Sequence, residues 1–203
     1  MIKVENIEVY GVKSAIRGMR NPLASWDRSD SYDGENGFVI GANDLDLAQR
    51  LYKAGNEHRK YMRQIMLSMD ITAPLYWWKE MDTYKVGTVA NSCSTMHTIH
   101  KAPFVPEDFS HEQLEGEYLA QFYMTIRLLN RARERFLDTK DKTYWWQMIQ
   151  LLPSSYNQKR TVSFSFENAV AMIHQRENHK LDEWRALVQI LKQIPYLTDI
   201  IAE

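Results

Sequence analysis

Apolar residues alternate with polar ones at the beginning of the chain, and this pattern predicts a β-strand over residues 2–13. Residues 21–43 are rich in Gly, Asp and Ser and predict a long loop, with a short strand at residues 38–40. Because long loops inside compact domains commonly serve a function, residues 21–43 form a candidate lid over a cleft.

Apolar positions three and four residues apart predict helices along most of the remaining chain. These helices cover about residues 43–54, 57–69, 111–137, 142–152, 165–178 and 181–193. Asn43 is expected to cap the first of them and Gly55 to end it. Residues 71–78 are apolar and aromatic, which favours a strand. Residues 84–97 are mostly small and polar and predict a loop with a short helical turn at most, and residues 154–160 predict a turn.

These elements together predict a mostly helical chain with a small sheet. We expect an α+β fold in which a small, mostly antiparallel sheet packs with long helices. A length of 203 residues is sufficient for one domain with a sizeable core, so we expect a single domain over residues 1–203.

The composition is that of a folded protein, with 44% hydrophobic and 25% charged residues. The formal net charge of −1 provides no overall field to attract nucleic acid or an anionic membrane. No apolar run approaches the roughly 18 residues of a membrane span, and no signal-peptide pattern begins the chain. We therefore expect a cytoplasmic protein that binds neither nucleic acid nor a membrane. The aromatic content of 12% and the 10 methionines suit a core or an oligomer interface.

Candidate metal ligands and nucleophiles are few. The single cysteine, Cys93, excludes an intrachain disulfide and a cysteine-based zinc site. His97 and His100 lie three residues apart and have no carboxylate at a convincing metal-ligand spacing, so no metal is expected. Cys93 is more consistent with a packing thiol than with a nucleophile.

Short motifs occur in a fixed order along most of the chain. Residues 71–74 (ITAP) precede aromatic residues and a polar loop that ends in residues 91–94 (NSCS). Residues 148–156 read MIQLLPSSY, and the segment from Arg176 reads RENHKLDEW. This order resembles the flavin-dependent thymidylate synthases, whose patterns are I-x-A-P, Q-W-x-R-H-R, N-E-x-S-x-R-Y, A-R-x-x-L-P-x-x-x-Y and A-Q-x-E. The resemblance covers roughly residues 44–189.

The resemblance implies the fold of that family and its chemistry, in which reduced FAD supplies hydride while a folate-borne carbon is transferred to C5 of dUMP. It also implies a homotetramer and no protein nucleophile, so no catalytic residue is assigned. The residues that it assigns to a dUMP-like pyrimidine nucleotide are Lys85, Ser92, Ser94, Arg176 and Glu80. The residues that it assigns to FAD are Lys79, Thr88 and Arg160.

The chain departs from the family patterns at several phosphate-binding positions. Depending on the register, R-H-R falls on residues 83–85 or 84–86, and only Lys85 stays basic. The arginine after the loop serine is Met96, and the A-R pair is replaced by residues 148–149. FAD and dUMP bring several phosphate charges into one cleft, which requires arginine forks, backbone N–H groups or helix N-termini. The cations that remain suit a mononucleotide better than both ligands together.

Three functional hypotheses therefore stay open. The chain is a divergent FAD-dependent enzyme of this type, a nucleotide-binding or pyrimidine-modifying relative without flavin, or a non-catalytic oligomeric interaction protein on the same scaffold. Structural interpretations of the candidate residues also stay open: Ser94 as a helix cap, Arg176 as a salt-bridge partner of Glu177 or Asp182, and Trp77 as part of the core.

Overall fold

The computed structural model describes residues 2–202. The strands in this part of the chain are β1 (Lys3–Tyr10), β2 (Tyr32–Gly34), β3 (Gly37–Val39), β4 (Met66–Pro74), β5 (Thr88–Ser92) and β6 (Asn157–Ser165). The helices are α1 (Val12–Gly18), α2 (Ala42–Lys53), α3 (Leu75–Met81), α4 (Thr95–Thr98), α5 (Gly116–Thr139), α6 (Lys142–Leu151), α7 (Phe166–Arg176), α8 (Asp182–Leu191) and α9 (Leu197–Ile201). The predicted α+β fold, mostly helical with a small sheet, is confirmed.

Four strands form one sheet in the order β1-β4-β6-β5, and β2 pairs with β3 in a separate antiparallel hairpin. Backbone hydrogen bonds show that the β4 and β6 segments run in opposite directions. The Phe166 amide donates to the Ile65 carbonyl over 2.9 Å, and the Leu75 amide donates to the Tyr156 carbonyl over 3.0 Å. The expected antiparallel character of the small sheet follows from this pairing.

Residues 57–69 do not form the predicted helix, and that prediction is wrong. The structure has a single 3₁₀ turn at Lys60–Arg63, after which β4 begins at Met66. Burial alternates along β4 with a period of two, whereas the buried Ile65 and Met69 also satisfy a four-residue spacing. When a short segment fits both periods, its strand partners determine whether it forms a strand or a helix. Periodicity within a single sequence does not identify those partners.

The predicted boundaries also differ from the structure at the other strands. Residues 84–97 contain the strand β5 in addition to the predicted short helical turn, which is α4. Residues 154–155 form a turn, but the predicted turn over residues 154–160 is too long, because β6 begins at Asn157. The predicted strand over residues 71–78 ends at Pro74, and α3 begins at Leu75. Pro74 suits the N-cap of α3 because its missing N–H and fixed φ are compatible with a helix start.

Helix α2 begins differently from the expectation, because its N-cap is Gly41 and not Asn43. The carboxylate of Asp30 accepts hydrogen bonds from the amides of Asn43 at 2.8 Å and Asp44 at 3.0 Å. A Cβ on Gly41 would lie only 2.3 Å from the Asp30 carboxyl carbon, so this approach requires glycine. The side chain that caps α2 therefore comes from Asp30 in the preceding loop, and not from Asn43 as predicted.

The described residues divide into two compact units, each assembled from separate stretches of the chain. The first unit comprises Ile71–Thr83 and Asn91–Thr161 with the beginning of the chain. The second comprises Val4–Asp70, Tyr84–Ala90 and the chain from Val162 onward. The single domain over residues 1–203 stays a prediction.

The core of the first unit lies around α5 and α6. Its buried members are Ile99, Phe104, Phe109, Phe122, Ile126, Leu129, Ala132 and Met148. In the second unit α7 contacts α8, and α2 contacts α9. Trp184, Leu187, Val188 and Leu191 form the buried face of α8, at the three- and four-residue spacing from which this helix was predicted.

We expect Leu129→Ala to lower the free energy of unfolding by about 2–5 kcal/mol, because Leu129 is fully buried in the core of the first unit. Leu128→Ala is the matched control. Leu128 is the neighbour of Leu129 on α5 and is 39% exposed, so we expect a loss of about 0.5 kcal/mol or less. Urea unfolding of both variants measures the difference. Equal losses would contradict the assigned orientation of α5.

Candidate functional site

The second unit contains a cavity of about 940 Å³. Its walls come from residues 18–28, at the end of α1 and in the following loop, and from residues 43–64, in α2 and the segment after it. Ligand sites for small molecules commonly have volumes of about 300–1,000 Å³. The long loop that the sequence marks as a candidate lid therefore lines a space of nucleotide size.

The carboxylate of Asp44 fixes this loop to the first turn of α2. Asp44 is completely buried and forms an ion pair with Arg20, which is itself 4% exposed. The Ser29 hydroxyl donates to Asp44 Oδ2 over 2.7 Å, and the amide of Ser31 donates to the same oxygen over 3.1 Å. The Arg20 guanidinium also reaches the Ser25 carbonyl oxygen at 3.3 Å. The cavity wall is therefore held by a buried network whose members satisfy one another.

Burial opposes ionisation of Asp44, but hydrogen bonds from the Ser31 and Ser29 hydroxyls and from Arg20, with the charge of Arg20, outweigh it. The pKa of Asp44 is therefore lowered from its ordinary value of 3.8. The carboxylate is charged at neutral pH and remains available to pair with Arg20.

Three basic side chains of the cavity have no hydrogen-bond or ion-pair partner within residues 2–202: Arg28, His58 and Lys60. Arg50 also lines the cavity, but it forms an ion pair with Asp46 at 2.8 Å. Glu57 contributes a negative charge to the lining. Arg28 and Lys60 thus leave two positive charges available to an anionic ligand.

Sequence reasoning missed these three residues. The prediction of a helix over residues 57–69 gave no reason to place His58 and Lys60 at a cavity. In the structure Lys60 begins the 3₁₀ turn and His58 lies just before it, and both line the cavity. The loop containing Arg28 was predicted as a candidate lid over a cleft, and this prediction is the sequence signal that points to the cavity.

The residues assigned to nucleotide and FAD are divided between the two units. The first unit contains Lys79, Glu80, Ser92, Ser94 and Arg160. The second contains Lys85, Thr88 and Arg176. Their assembly into one site stays a prediction.

Arg160 is held by groups of its own unit. Its Nη1 donates to Asp82 Oδ1 over 2.8 Å, and its Nε donates to Gln158 Oε1 over 2.9 Å. Its guanidinium carbon lies 4.2 Å from the centroid of the Trp78 ring. Trp78 is 1% exposed and Trp77 is fully buried, as the core interpretation expects. A phosphate at Arg160 would therefore compete with the Asp82 carboxylate.

Ser94 is the N-cap residue of α4, but its hydroxyl makes no capping bond to the helix backbone. It lies 2.7 Å from Nδ1 of His97 instead. Gln158 Nε2 donates to the carbonyl oxygen of the adjacent Cys93 over 2.8 Å. These bonds hold the segment that follows β5 in place.

Arg176 lies between two aromatic rings of the second unit. Its Nε donates to the Tyr84 hydroxyl over 2.9 Å, and its guanidinium carbon lies 4.7 Å from the Trp184 ring centroid. Glu177 instead pairs with Lys192, and Asp182 pairs with Arg185. The interpretation of Arg176 as a salt-bridge partner of Glu177 or Asp182 is therefore wrong.

The segment of residues 84–87 is attached to α7 at both ends. The Tyr84 hydroxyl donates to Gln175 Oε1 over 2.9 Å, and Asn168 Nδ2 donates to the Val86 carbonyl oxygen over 2.9 Å. Gly87 has a positive φ of 71°, and a Cβ there would lie 3.1 Å from Asn168 Oδ1. The exposed Lys85 between these bonds has no ion-pair partner within residues 2–202.

Thr88, assigned to the cofactor, follows this segment. Its hydroxyl oxygen is buried and has no hydrogen-bond partner among the described residues. A buried hydroxyl without a partner is uncommon in folded proteins. Residues 2–202 contain no group of three or more His, Cys, Asp or Glu side chains that could hold a metal ion. None of the helices in that range combines the length and apolar character needed to cross a membrane.

The fold is that of the flavin-dependent thymidylate synthases known as ThyX, as the motif order suggests. Thymidylate synthase X from Helicobacter pylori, solved with FAD and dUMP, is similar with a TM-score of 0.71 and 17% identity over 100% of this chain and 98% of that chain. A second structure of flavin-dependent ThyX from Helicobacter pylori, complexed with FAD and dUMP, has a TM-score of 0.70 and 17% identity over 99% and 98% of the two chains. No family model and no curated protein matches the sequence. At this identity the likeness defines the fold alone.

We expect Asp44→Asn to lower the free energy of unfolding by about 3–5 kcal/mol at neutral pH, because it leaves Arg20 charged and buried without its ion pair. The pKa of Asp44 is lowered in the folded state, so its contribution is present above its ordinary pKa and is lost as the pH falls through the lowered value. Urea unfolding from about pH 7 to about pH 3 should show the wild type and the variant converging. A constant difference at all pH values would contradict an ionised Asp44.

For Arg176→Ala we expect a loss of about 1–3 kcal/mol in the free energy of unfolding, because the contacts with Trp184 and the Tyr84 hydroxyl disappear. Arg176→Lys keeps the charge without the planar fork and serves as the comparison. Unchanged stability combined with weaker dUMP binding would assign Arg176 to the nucleotide instead.

Proposed function

We propose that this chain binds a dUMP-like pyrimidine nucleotide together with FAD and carries out reductive methylation at the pyrimidine C5, with a folate as carbon donor. The observation that supports this most is the likeness over the whole chain to ThyX structures that contain FAD and dUMP. The cavity of the second unit adds a space of suitable size with unpartnered cations.

The cavity fits the chemistry of FAD. A dinucleotide presents a diphosphate and flat ring systems, which require cations beside apolar surface. Arg28 and Lys60 would hold the phosphates, and Leu47 and Leu51 of the lining offer apolar contacts. The buried network at Asp44 would keep this wall in position without any change on binding. FAD, when bound and reduced, supplies hydride.

We propose Lys85 as the residue that binds the nucleotide phosphate. Its ammonium group is exposed and unpartnered within residues 2–202. On one side of it α7 binds the Tyr84 side chain, and on the other side α7 binds the Val86 carbonyl oxygen. A positioned cation of this kind binds phosphate with less loss of conformational freedom than one on a mobile loop. The further assignment of Glu80, Ser92 and Ser94 to the nucleotide rests on the sequence resemblance.

Nucleotide binding without flavin is the second candidate function. One observation favours it: Arg160, which the resemblance assigns to FAD, is already paired with Asp82 and packed on Trp78. A chain that keeps a mononucleotide site and has lost the cofactor would show this arrangement. A homotetramer, which the resemblance implies, is part of either proposal and is measured by light scattering during gel filtration.

Isothermal titration calorimetry with dUMP and with FAD tests the proposal. We expect Lys60→Ala to weaken FAD binding about tenfold or more, because it removes a charge-assisted contact from the cavity. Lys85→Ala should weaken dUMP binding by a similar factor. Lys53→Ala, an exposed lysine at the end of α2 that does not line the cavity, is the control and should bind both ligands normally.

The outcomes separate the hypotheses. Binding of both ligands, with dTMP formed from dUMP in the presence of methylenetetrahydrofolate and a reductant for the flavin, supports the enzyme. Binding of dUMP without FAD supports the second function. Binding of neither ligand overturns both and leaves the non-catalytic interaction protein.

A further inference from the structure

Helices α5 and α6 of the first unit line an open groove of about 490 Å³. Four polar side chains face it: Arg131 and Arg135 from α5, and Gln147 and Gln150 from α6. Leu128 and Leu151 complete the walls and are 39% and 41% exposed. This α5–α6 groove therefore combines two cations, two carboxamides and apolar surface.

The charge in the groove is not neutralised. Arg131 has no hydrogen-bond or ion-pair partner within residues 2–202, and Arg135 makes only a 3.5 Å contact with the Tyr144 hydroxyl and a cation–π contact with its ring at 5.5 Å. No acidic side chain belongs to the lining. Glu134 and Asp138, also on α5, form no ion pair with either arginine in this part of the chain.

The four polar side chains project from fixed backbone. The two arginines lie four residues apart on α5, so their side chains extend from one helix face, one turn apart. Behind them, Leu129 and Met148 are fully buried in the core that joins the two helices. The Asp141 side chain caps α6 by accepting from the Thr143 amide over 2.8 Å. Recognition sites on packed helices hold their side chains more accurately than sites on loops.

We propose that the α5–α6 groove binds a small organic oxyanion, a carboxylate or phosphate carried on an apolar body. The guanidinium groups of Arg131 and Arg135 donate to the oxyanion, because planar forks match its oxygens. The carboxamides of Gln147 and Gln150 both donate and accept, so they bind neutral polar groups of the same ligand. Leu128 and Leu151 contact the apolar body.

Calorimetric titration at low salt with benzoate, phenyl phosphate and inorganic phosphate tests the proposal. We expect saturable binding of benzoate or phenyl phosphate, about tenfold or more tighter than inorganic phosphate, because only these probes offer an apolar body to the leucines. The stronger of the two organic probes identifies the ligand as a carboxylate or a phosphate. Absence of saturable binding of both organic probes up to about 10 mM overturns the proposal.

Arg131→Gln and Arg135→Gln should each weaken binding of the better probe about tenfold. Arg127→Gln is the matched control on the same helix: it removes one positive charge, but Arg127 does not line the groove and contacts Met124 Sδ at 3.3 Å. Equal losses in all three variants would show attraction to net charge only and overturn the proposal.

Phenyl phosphate also suits the cavity of the second unit, so its binding there must be distinguished from binding at the groove. The variant Lys60→Ala makes this distinction: we expect it to leave binding of the probes at the groove unchanged. Should a groove variant fail to fold, perturbation of the Arg131 and Arg135 Nε–H signals in NMR spectra of the unsubstituted protein gives the answer. Unshifted signals at saturation contradict the assignment.

Discussion

The cavity of the second unit depends on one buried charge pair, Arg20 with Asp44. A buried carboxylate without compensation is costly, and here five donors surround it: the Arg20 side chain and the hydroxyl and amide groups of Ser29, Asp30 and Ser31. All the donors other than Arg20 come from the loop, whereas Asp44 belongs to α2. The pairing therefore converts a long loop of small polar residues, with little apolar surface to bury, into a fixed wall. The Asp30 carboxylate, which caps α2, strengthens the same connection from the opposite direction.

Much of the helical part of the fold could be predicted from the sequence, because burial of one helix face leaves a three- to four-residue period. Helix α6 was predicted at residues 142–152 and occupies Lys142–Leu151, and α8 was predicted within two residues at each end. The strands were harder. β5 contains small polar residues and only one bulky apolar residue, Val89, and its position is set by pairing with β6. Such pairing depends on residues about seventy positions away.

The candidate site shows the same limit for side chains. The sequence identified basic residues and hydroxyls near the family motifs. It did not show which of them already bind other side chains of the protein. Arg176 lies over the rings of Tyr84 and Trp184. Tyr84 is far from Arg176 in the sequence, so this contact could not be predicted from neighbouring positions. Arg28 and Lys60, by contrast, belong to no motif and carry no periodic signal. They are candidates for anion binding only because residues 18–28 and residues 43–64 line the same cavity in the folded chain.

The distribution of partnered and unpartnered cations bears on what this scaffold can bind. A phosphate that approaches Arg160 must displace the Asp82 carboxylate, so its gain is the difference between two charge-assisted interactions. At Lys60, Arg28 or Lys85 it displaces only water, so no ion pair within the described residues has to be broken. Arginines in aromatic surroundings act as packing groups, with their methylene stems and planar faces buried. A chain without the arginine motif of the flavin-dependent thymidylate synthases can therefore still bind anions on this fold, provided that the phosphates are held by cations that the protein has left unpaired.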